Sequence, residues 1–331
     1  MIFPQDPQKY QGGPSDRLGA WDQMPPAAST FAEDVDGLFY FVHWVSAFFF
    51  VLLTAILIYS VIKWRRKTED QVAVSNVTHN TGLEVTWTVI PLIIVMVIFV
   101  WGWKSARDMT IAPRDAATYK VVGKKWAWSI TQPGDLESDS LTNEIWLQKG
   151  VPAKLVMSSM DVLHSFYVPA FRAKRDVVPG RYQTMWFLPT KLGRYDLFCT
   201  EFCGAGHSAM IGWGNVHVID PDDFAKKPWA KEDPDPIKRG QKIYNNQCKT
   251  CHNLDTTKLV GPGWGGIWGR KWEAEDGSSG TVDEAYVTES VRYPNKKLVK
   301  GYPAGGMTQF DETALKESRL KDVIEFMKTL K

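Results

Sequence analysis

Thiol, imidazole and thioether groups lie close together in the segment CTEFCGAGHSAM, which runs from Cys199 to Met210 and includes Cys203 and His207. Sulfur ligands combined with imidazole form a donor set that favours copper. A small disulfide loop between the two cysteines, beside a surface histidine and a core methionine, is the alternative that this segment alone leaves open.

A second reactive cluster is the pentapeptide CKTCH, in which Cys248 and Cys251 are followed directly by His252. Two thiols at this spacing can add to the vinyl groups of a haem, and the adjacent imidazole then binds the iron. A zinc site would require a further Cys/His pair, and none follows in the sequence. No histidine follows either, so we expect a thioether as the sixth ligand. Met307, in the loop GYPAGGMTQF, is preferred over Met327, on the apolar face of the last helix.

Two cysteines in the first cluster allow two copper ions to share both thiolates, and each ion then needs one imidazole. The second imidazole must come from elsewhere among the six histidines. His43 and His79 fall on the membrane or cytoplasmic side, and His252 belongs to the haem motif. His217 alternates within a strand pattern and is more typical of a core or surface residue. His164, in the segment DVLHS, remains.

Two apolar runs, 38–62 and 83–103, are long enough to cross a bilayer of roughly 30 Å. A buried core helix is the alternative for each run. The short loop between them begins with KWRRK, which favours a cytoplasmic loop and places everything after about residue 104 outside. Glu84 lies near the inner end of the second run, where a carboxylate is either functional or reaches the headgroups.

From about residue 118 the apolar residues alternate with period two, in short segments that are typical of an all-β sandwich or barrel. The first predicted segment spans 118–131, and His164 closes the third, which begins at Ala153. A charged, proline-rich linker follows, and the last part of the chain has helical patterns at both ends. The predicted domains are a polar tail at 1–37, a helical hairpin at 38–104, a β-domain at 105–222, a linker at 223–236 and a haem-binding domain at 237–331. A net charge of +2 gives no electrostatic case for nucleic-acid binding.

The DVLHS segment and the pattern Cys-x3-Cys-x3-His-x2-Met together resemble subunit II of the haem–copper respiratory oxidases, and the fused haem motif resembles the caa-type oxidases. The resemblance implies a multidomain fold, with a two-helix transmembrane hairpin, an all-β cupredoxin-like sandwich and an all-α class I cytochrome c domain. It also implies a binuclear copper centre, CuA, beside the covalent haem c. The implied copper ligands are His164, Cys199, Cys203, His207, Met210 and the backbone carbonyl of Glu201.

Further roles are implied by the same resemblance. Trp126 is where electrons enter CuA, and Trp128 lies in the same aromatic segment. Glu84 is at the mouth of a proton path, the Glu201 carboxylate contributes to a Mg²⁺ site at the interface with subunit I, and Asp176 lies beside that interface. Lys124 and Lys125 stand where the family usually has His-Gln before the first tryptophan.

The implied function is electron transfer from a reduced donor through haem c and CuA to subunit I, which reduces oxygen and pumps protons. The implied location is a bacterial inner membrane, with both metal-binding domains on the periplasmic face. The partners are the other oxidase subunits, the lipid bilayer and an electron donor. The donor is a cytochrome c, another periplasmic protein such as a high-potential iron–sulfur protein, or a quinol-oxidising complex. A CuA-containing nitric oxide reductase is one alternative, and a membrane-anchored copper or disulfide protein with an appended cytochrome is another.

Overall fold

The computed structural model describes residues 24–72, 75, 77–135, 142–227, 233–312 and 314–330, with the backbone alone at 213 and 214. Residues 1–23 of the predicted tail lie outside the described residues. The chain divides into two compact units, one spanning Phe31–Ile111 and the other formed by Met1–Thr30 together with Ala112–Lys331.

The smaller unit consists of two long helices, α1 (Thr30–Trp64) and α2 (Thr81–Thr110). Both are long and apolar enough to cross a membrane, and their apolar side chains are largely exposed. Helix α1 begins before the predicted apolar run. Its first turns are tied to α2, because the Trp101 indole donates to the Asp34 carboxylate over 2.9 Å. A polar contact between the helices therefore extends α1 beyond the segment that hydrophobicity alone predicts.

The larger unit begins with a β-sandwich of two sheets, which we call the sandwich domain. Its nine strands are β1 (Ala117–Lys124), β2 (Ala127–Thr131), β3 (Ile145–Gln148), β4 (Ala153–Ser159), β5 (His164–Val168), β6 (Ala173–Val177), β7 (Gln183–Phe187), β8 (Gly193–Cys199) and β9 (Gly212–Ile219). One sheet has the order β2–β1–β4–β7 and the other β3–β9–β8–β5–β6. The short helix α3 (Pro221–Ala225) follows the last strand.

The core of the sandwich domain lies between these sheets. Every second side chain of β4 and β8 is buried, as expected for strands with one face towards a core. Tyr119, Leu155 and Phe166 are among the side chains that are almost fully removed from solvent. The N-terminal segment joins this domain, since the Ala28 amide donates to the Ala170 carbonyl over 2.8 Å.

The strand pattern confirms the predicted all-β domain, with two local differences. The segment 118–131 forms two antiparallel strands instead of one, with a turn at Lys125 and Trp126. His164 begins β5 and does not close the preceding strand, so that part of the prediction was wrong. Asp161 connects the turn between β1 and β2 with the turn between β4 and β5. Its carboxylate accepts hydrogen bonds from the amides of Lys125 and Val162, both at 2.7 Å.

The last part of the chain, residues 236–330, is mainly helical, and we call it the C-terminal domain. It contains α4 (Pro236–Ile243) with a π-turn over Tyr244–Cys248, the hairpin β10 (Lys271–Glu273) and β11 (Ser279–Thr281), α5 (Glu284–Arg292) and α6 (Glu317–Thr329). Its core includes Tyr244, Trp264, Leu320 and Met327. Arg239 of α4 pairs with the buried Asp322 of α6 at 2.6 Å, which joins the first and last helices.

Candidate copper and haem sites

His164 is fixed at the start of β5 by a carboxylate behind it. Its Nε2 lies 2.9 Å from Asp161 Oδ1, and its Nδ1 lies 3.8 Å from Cys199 Sγ. The imidazole is completely buried, and its edge packs against the Trp128 ring at 5.9 Å. A histidine with one nitrogen held by a carboxylate presents the other nitrogen as a ligand in a defined orientation. The arrangement of Asp161 and His164 is therefore that of a supported metal ligand.

The two cysteines of the first cluster face each other without being bonded. Cys199 Sγ and Cys203 Sγ are 4.0 Å apart, whereas a disulfide requires about 2.05 Å. Both thiols are free and buried. The side-chain donor atoms of His164, Cys199 and Cys203 all lie within 4.8 Å of one another. This geometry disfavours the disulfide alternative and agrees with a metal centre.

The loop between β8 and β9 adds three more donors around the two cysteines. His207 Nδ1 and Met210 Sδ each lie 3.4 Å from Cys203 Sγ, and the Glu201 carbonyl lies 3.4 Å from Cys199 Sγ. Two thiols, two imidazoles, one thioether and one carbonyl thus converge in a small, largely buried volume. This donor set fits two copper ions that share the thiolates.

The ionisation of these groups is strongly coupled to their surroundings. Burial opposes ionisation of Cys199, but its contacts with His164 and the backbone lower its pKa. Burial and the neighbouring Cys199 thiolate raise the pKa of Cys203 to about 12. Burial opposes protonation of His164, but the bonds to Asp161 and Cys199 outweigh it and raise its pKa to about 8. Metal binding at this site must therefore release protons.

Trp126 lies directly on the ligand loop. Its indole Nε1 donates to the Cys203 carbonyl over 3.1 Å, and only 8% of the residue is exposed. Gly206 is required beneath the ring, because a Cβ there would overlap the indole. Trp128, by contrast, points into the core, where it packs against Phe166 at 5.2 Å. The two tryptophans thus differ: one contacts the copper-ligand loop directly and the other supports it.

The CKTCH motif lines a cavity of about 420 Å³ in the C-terminal domain. This volume is in the range of cofactor sites. Cys248 and Cys251 are free thiols whose burial raises their pKa values to about 12 and about 11. His252 Nδ1 lies 2.9 Å from the Pro262 carbonyl, so that nitrogen is engaged as a donor and Nε2 is left for iron. Gly261 packs so closely on the imidazole that a Cβ would overlap it.

Both candidate sixth ligands line this cavity. Met307 is half-buried in the loop after α5, and Met327 is almost fully buried on α6. The thiols, the oriented imidazole and the two thioethers fit a covalently attached haem. The geometry alone brings both methionines to the cavity, so Met307 stays a prediction.

Other predicted residues lie outside these clusters. Glu84 is in the first turn of α2, where its carboxylate accepts from the Asn80 amide over 3.2 Å while the Asn80 side chain accepts from Leu83. This is a reciprocal helix cap, which is a structural role. Asp176 accepts from the Ser165 hydroxyl over 2.8 Å. His217 is buried and stacks on Trp146 at 3.9 Å, away from the copper donors.

Sequence reasoning missed Asp161 and Lys124. The spacing Asp-x-x-His before His164 was a usable signal for the carboxylate that orients the imidazole. From the sequence, Lys124 was identified only as part of a basic pair, but the residue is buried, with only 3% of it exposed. Burial lowers its pKa to about 8, an effect that Asp161 and Asp311 partly oppose. The sequence around Lys124 gives no sign that this lysine is buried, because the residues that cover it belong to the C-terminal domain.

Comparison with known protein families gives three matches along the chain. The transmembrane domain of cytochrome c oxidase subunit II matches residues 18–104, its periplasmic domain matches 129–212, and cytochrome c matches 237–331. A probable cytochrome c oxidase subunit 2 from Rickettsia bellii is 30% identical over 219 residues, which are 60% of this chain and 80% of the relative. Cytochrome c oxidase subunit 2 from Synechocystis is 29% identical over 248 residues, 61% of this chain and 73% of the relative.

Among solved structures, the periplasmic domain of subunit II of the Bradyrhizobium japonicum cytochrome oxidase is 28% identical to this chain. The match covers 35% of this chain and 94% of that domain, with a TM-score of 0.31. The named relatives are oxidase subunits, which does not favour the nitric oxide reductase alternative. The chain belongs to the cytochrome c oxidase subunit II family, and it is an electron-transfer subunit of an oxidase with a cytochrome c domain fused at its C-terminal end.

Proposed function

We propose that this subunit carries electrons from a periplasmic donor to haem c in the C-terminal domain, then to CuA in the sandwich domain, and then to subunit I. Oxygen is reduced to water in subunit I, and protons are pumped there. The observation that carries the proposal is the convergence of two thiols and two imidazole nitrogens beside Trp126. When bound, the copper and haem groups supply one-electron redox chemistry.

The proposed copper ligands are the converging donors of the sandwich domain: His164, Cys199, Glu201 through its carbonyl, Cys203, His207 and Met210. Their role is to keep the coordination geometry nearly constant between redox states. The fixed imidazole of His164 and the buried loop around Cys203 support that role, since little rearrangement is possible there.

The proposed haem ligands are the His252 imidazole and the Met307 thioether, with Cys248 and Cys251 as the points of covalent attachment. The bond from His252 to the Pro262 carbonyl orients the ring and raises its basicity. A thioether as sixth ligand raises the reduction potential of the iron, as in electron-transfer cytochromes c.

Trp126 is proposed as the point where electrons enter the copper site. Its indole is hydrogen-bonded to the carbonyl of the ligand residue Cys203, so a short bonded route leads from the ring to the metal ligands. Its burial excludes water from that route.

Glu84 and Glu201 are proposed to act at the boundary with subunit I. The Glu84 carboxylate lies at the start of α2, next to the predicted cytoplasmic loop, where it is proposed to open a proton path. The half-buried Glu201 carboxylate is proposed to bind Mg²⁺ while its carbonyl faces the copper site. Oxygen-rich ligands are those that Mg²⁺ prefers.

The match to the transmembrane domain of the family supports an inner-membrane protein with periplasmic domains. We propose that α1 and α2 both cross the membrane, with the loop between them in the cytoplasm. The expected donor is a cytochrome c, another periplasmic electron carrier, or a quinol-oxidising complex held in a supercomplex.

Rapid mixing of the oxidised, purified oxidase with a reduced cytochrome c tests the proposed order. We expect haem c absorbance to change first, followed by bleaching of the copper band at a rate that does not depend on donor concentration. Reduction of copper before haem would contradict the proposed route.

A further inference from the structure

Two threonines beside the haem motif bind the backbone of the sandwich domain at one place. Thr308 Oγ1 donates to the Lys125 carbonyl over 2.9 Å. Thr250 Oγ1 lies 3.5 Å from the Trp126 carbonyl. Thr308 directly follows Met307, and Thr250 lies between the two cysteines of CKTCH. Both contacts therefore lie at residues of the proposed electron route.

The same surface is closed by side chains. Lys124 is 3% exposed, and its Nζ lies 4.1 Å from the centroid of the Phe310 ring. Lys125 lines the cavity that contains the CKTCH motif. Trp126 is also buried, with its ring on the ligand loop and its carbonyl facing Thr250. Little of the Lys124 and Trp126 side chains is left open to solvent, since they are 3% and 8% exposed.

The segment 124–126 contacts the C-terminal domain of the same chain. We propose that Thr308 is the positioning residue that holds the Met307 loop against this segment. This proposal rests on the proposed function. With the segment 124–126 covered in this way, the external donor of the proposed function delivers electrons to the C-terminal domain and not directly to Trp126. The donor must therefore recognise the haem-binding part of the chain.

Thr308 is suited to this role by its place in the loop. Its hydroxyl fixes the residue next to Met307 against the Lys125–Trp126 backbone. One electron leaves the haem iron and is gained by the copper site. The rate of this electron transfer falls steeply as the distance between the haem and copper sites increases. A loop that moves away from Lys125 lengthens that distance without changing either metal site.

The test compares Thr308→Val with two controls in the purified, fully loaded oxidase. Valine keeps the shape and removes the hydroxyl donor, whereas Thr308→Ser restores the donor. Thr281→Val, on the exposed strand β11, is the matched control for the substitution itself. The first readout is the rate of electron transfer from haem to copper after flash reduction. The second is amide hydrogen exchange in residues 122–128, which does not depend on turnover.

A neutral hydrogen bond contributes about 1 kcal/mol, so the docking equilibrium should weaken by about fivefold in Thr308→Val. We expect the intrachain rate to fall by up to that factor, exchange in 122–128 to rise, and exchange in β4 to stay unchanged. Thr308→Ser and Thr281→Val should match the parent protein. In Thr308→Val, copper reduction should also gain a phase that depends on donor concentration.

Two results would overturn the docking proposal while leaving the electron route intact. One is an unchanged rate and unchanged exchange in Thr308→Val when haem and copper contents are normal. The other is direct, donor-dependent reduction of copper in the parent protein alongside normal transfer from haem. If copper in the parent protein receives no electrons from haem at all, the proposed function itself fails.

Discussion

Replacing Lys124 by methionine should remove a buried positive charge from the surface between the two periplasmic domains. The ammonium faces the Phe310 ring at 4.1 Å, and the carboxylates of Asp161 and Asp311 act on it from the two domains. Burial lowers its pKa from 10.5 to about 8, and those carboxylates only partly oppose the shift. Cys248 is a further neighbour, but its sulfur carries no charge once it is bonded to haem.

The sign of the effect follows from the direction of this shift. Because the pKa is lower in the folded state, burying the charged lysine costs free energy at every pH below about 8. That cost disappears as the pH rises towards 10.5, where the unfolded lysine also loses its proton. The lowering of the pKa to about 8 corresponds to a cost of about 3 kcal/mol at most. Loss of the contact between the ammonium and the aromatic ring offsets about 1–2 kcal/mol of this gain in the free energy of unfolding.

We therefore expect Lys124→Met to raise the free energy of unfolding of the C-terminal domain by about 1–2 kcal/mol near pH 7. The assay is guanidinium unfolding of the intact oxidase, followed by haem absorbance. The parent protein should gain stability between about pH 8 and about pH 10, and the variant should not. Lys120→Met, exposed on the same strand, is the control and should behave like the parent. A variant less stable than the parent at pH 7, or an unchanged pH dependence, would refute the reasoning.

Three further changes test individual groups of the two sites. Asp161→Asn should lower copper affinity by about 10–100-fold, because the carboxylate behind the imidazole is lost, as a competitive chelator titration would measure; unchanged affinity would remove Asp161 from the site. Met307→Ala should abolish the methionine-to-iron charge-transfer band while Met327→Ala keeps it, and the reverse outcome would exchange their roles. Trp126→Phe should preserve copper content but slow electron transfer from haem, since the bond to the Cys203 carbonyl is lost; an unchanged rate would exclude the indole route.

The residues that carry chemistry were predictable from local spacing. CKTCH and the Cys-x3-Cys-x3-His-x2-Met pattern each lie within a few residues, so their side chains are forced together by short loops. His164 was predictable only by eliminating other histidines, because β5 and β8 bring it to Cys199 from a distant part of the chain. The β-sandwich and the two long apolar helices followed from periodicity and hydrophobicity.

The contacts between domains could not be predicted in the same way. Nothing in the alternation of β1 indicates that Lys124 is covered, because Phe310 and Thr308 lie almost two hundred residues further along the chain. The start of α1 was missed for a related reason: the bond from Trp101 to Asp34 stabilises polar turns that hydrophobicity does not mark. Patterns within one element indicate its own buried face, but not which surface of another domain covers it.

The central claim is that the donors around Cys199 and Cys203 hold two copper ions beside a single haem c. Metal analysis of the purified subunit, combined with near-infrared spectroscopy, tests it most directly. We expect two copper ions per haem c and the absorption of a mixed-valence copper pair. Zero or one copper ion per haem, with no such absorption, would contradict the account.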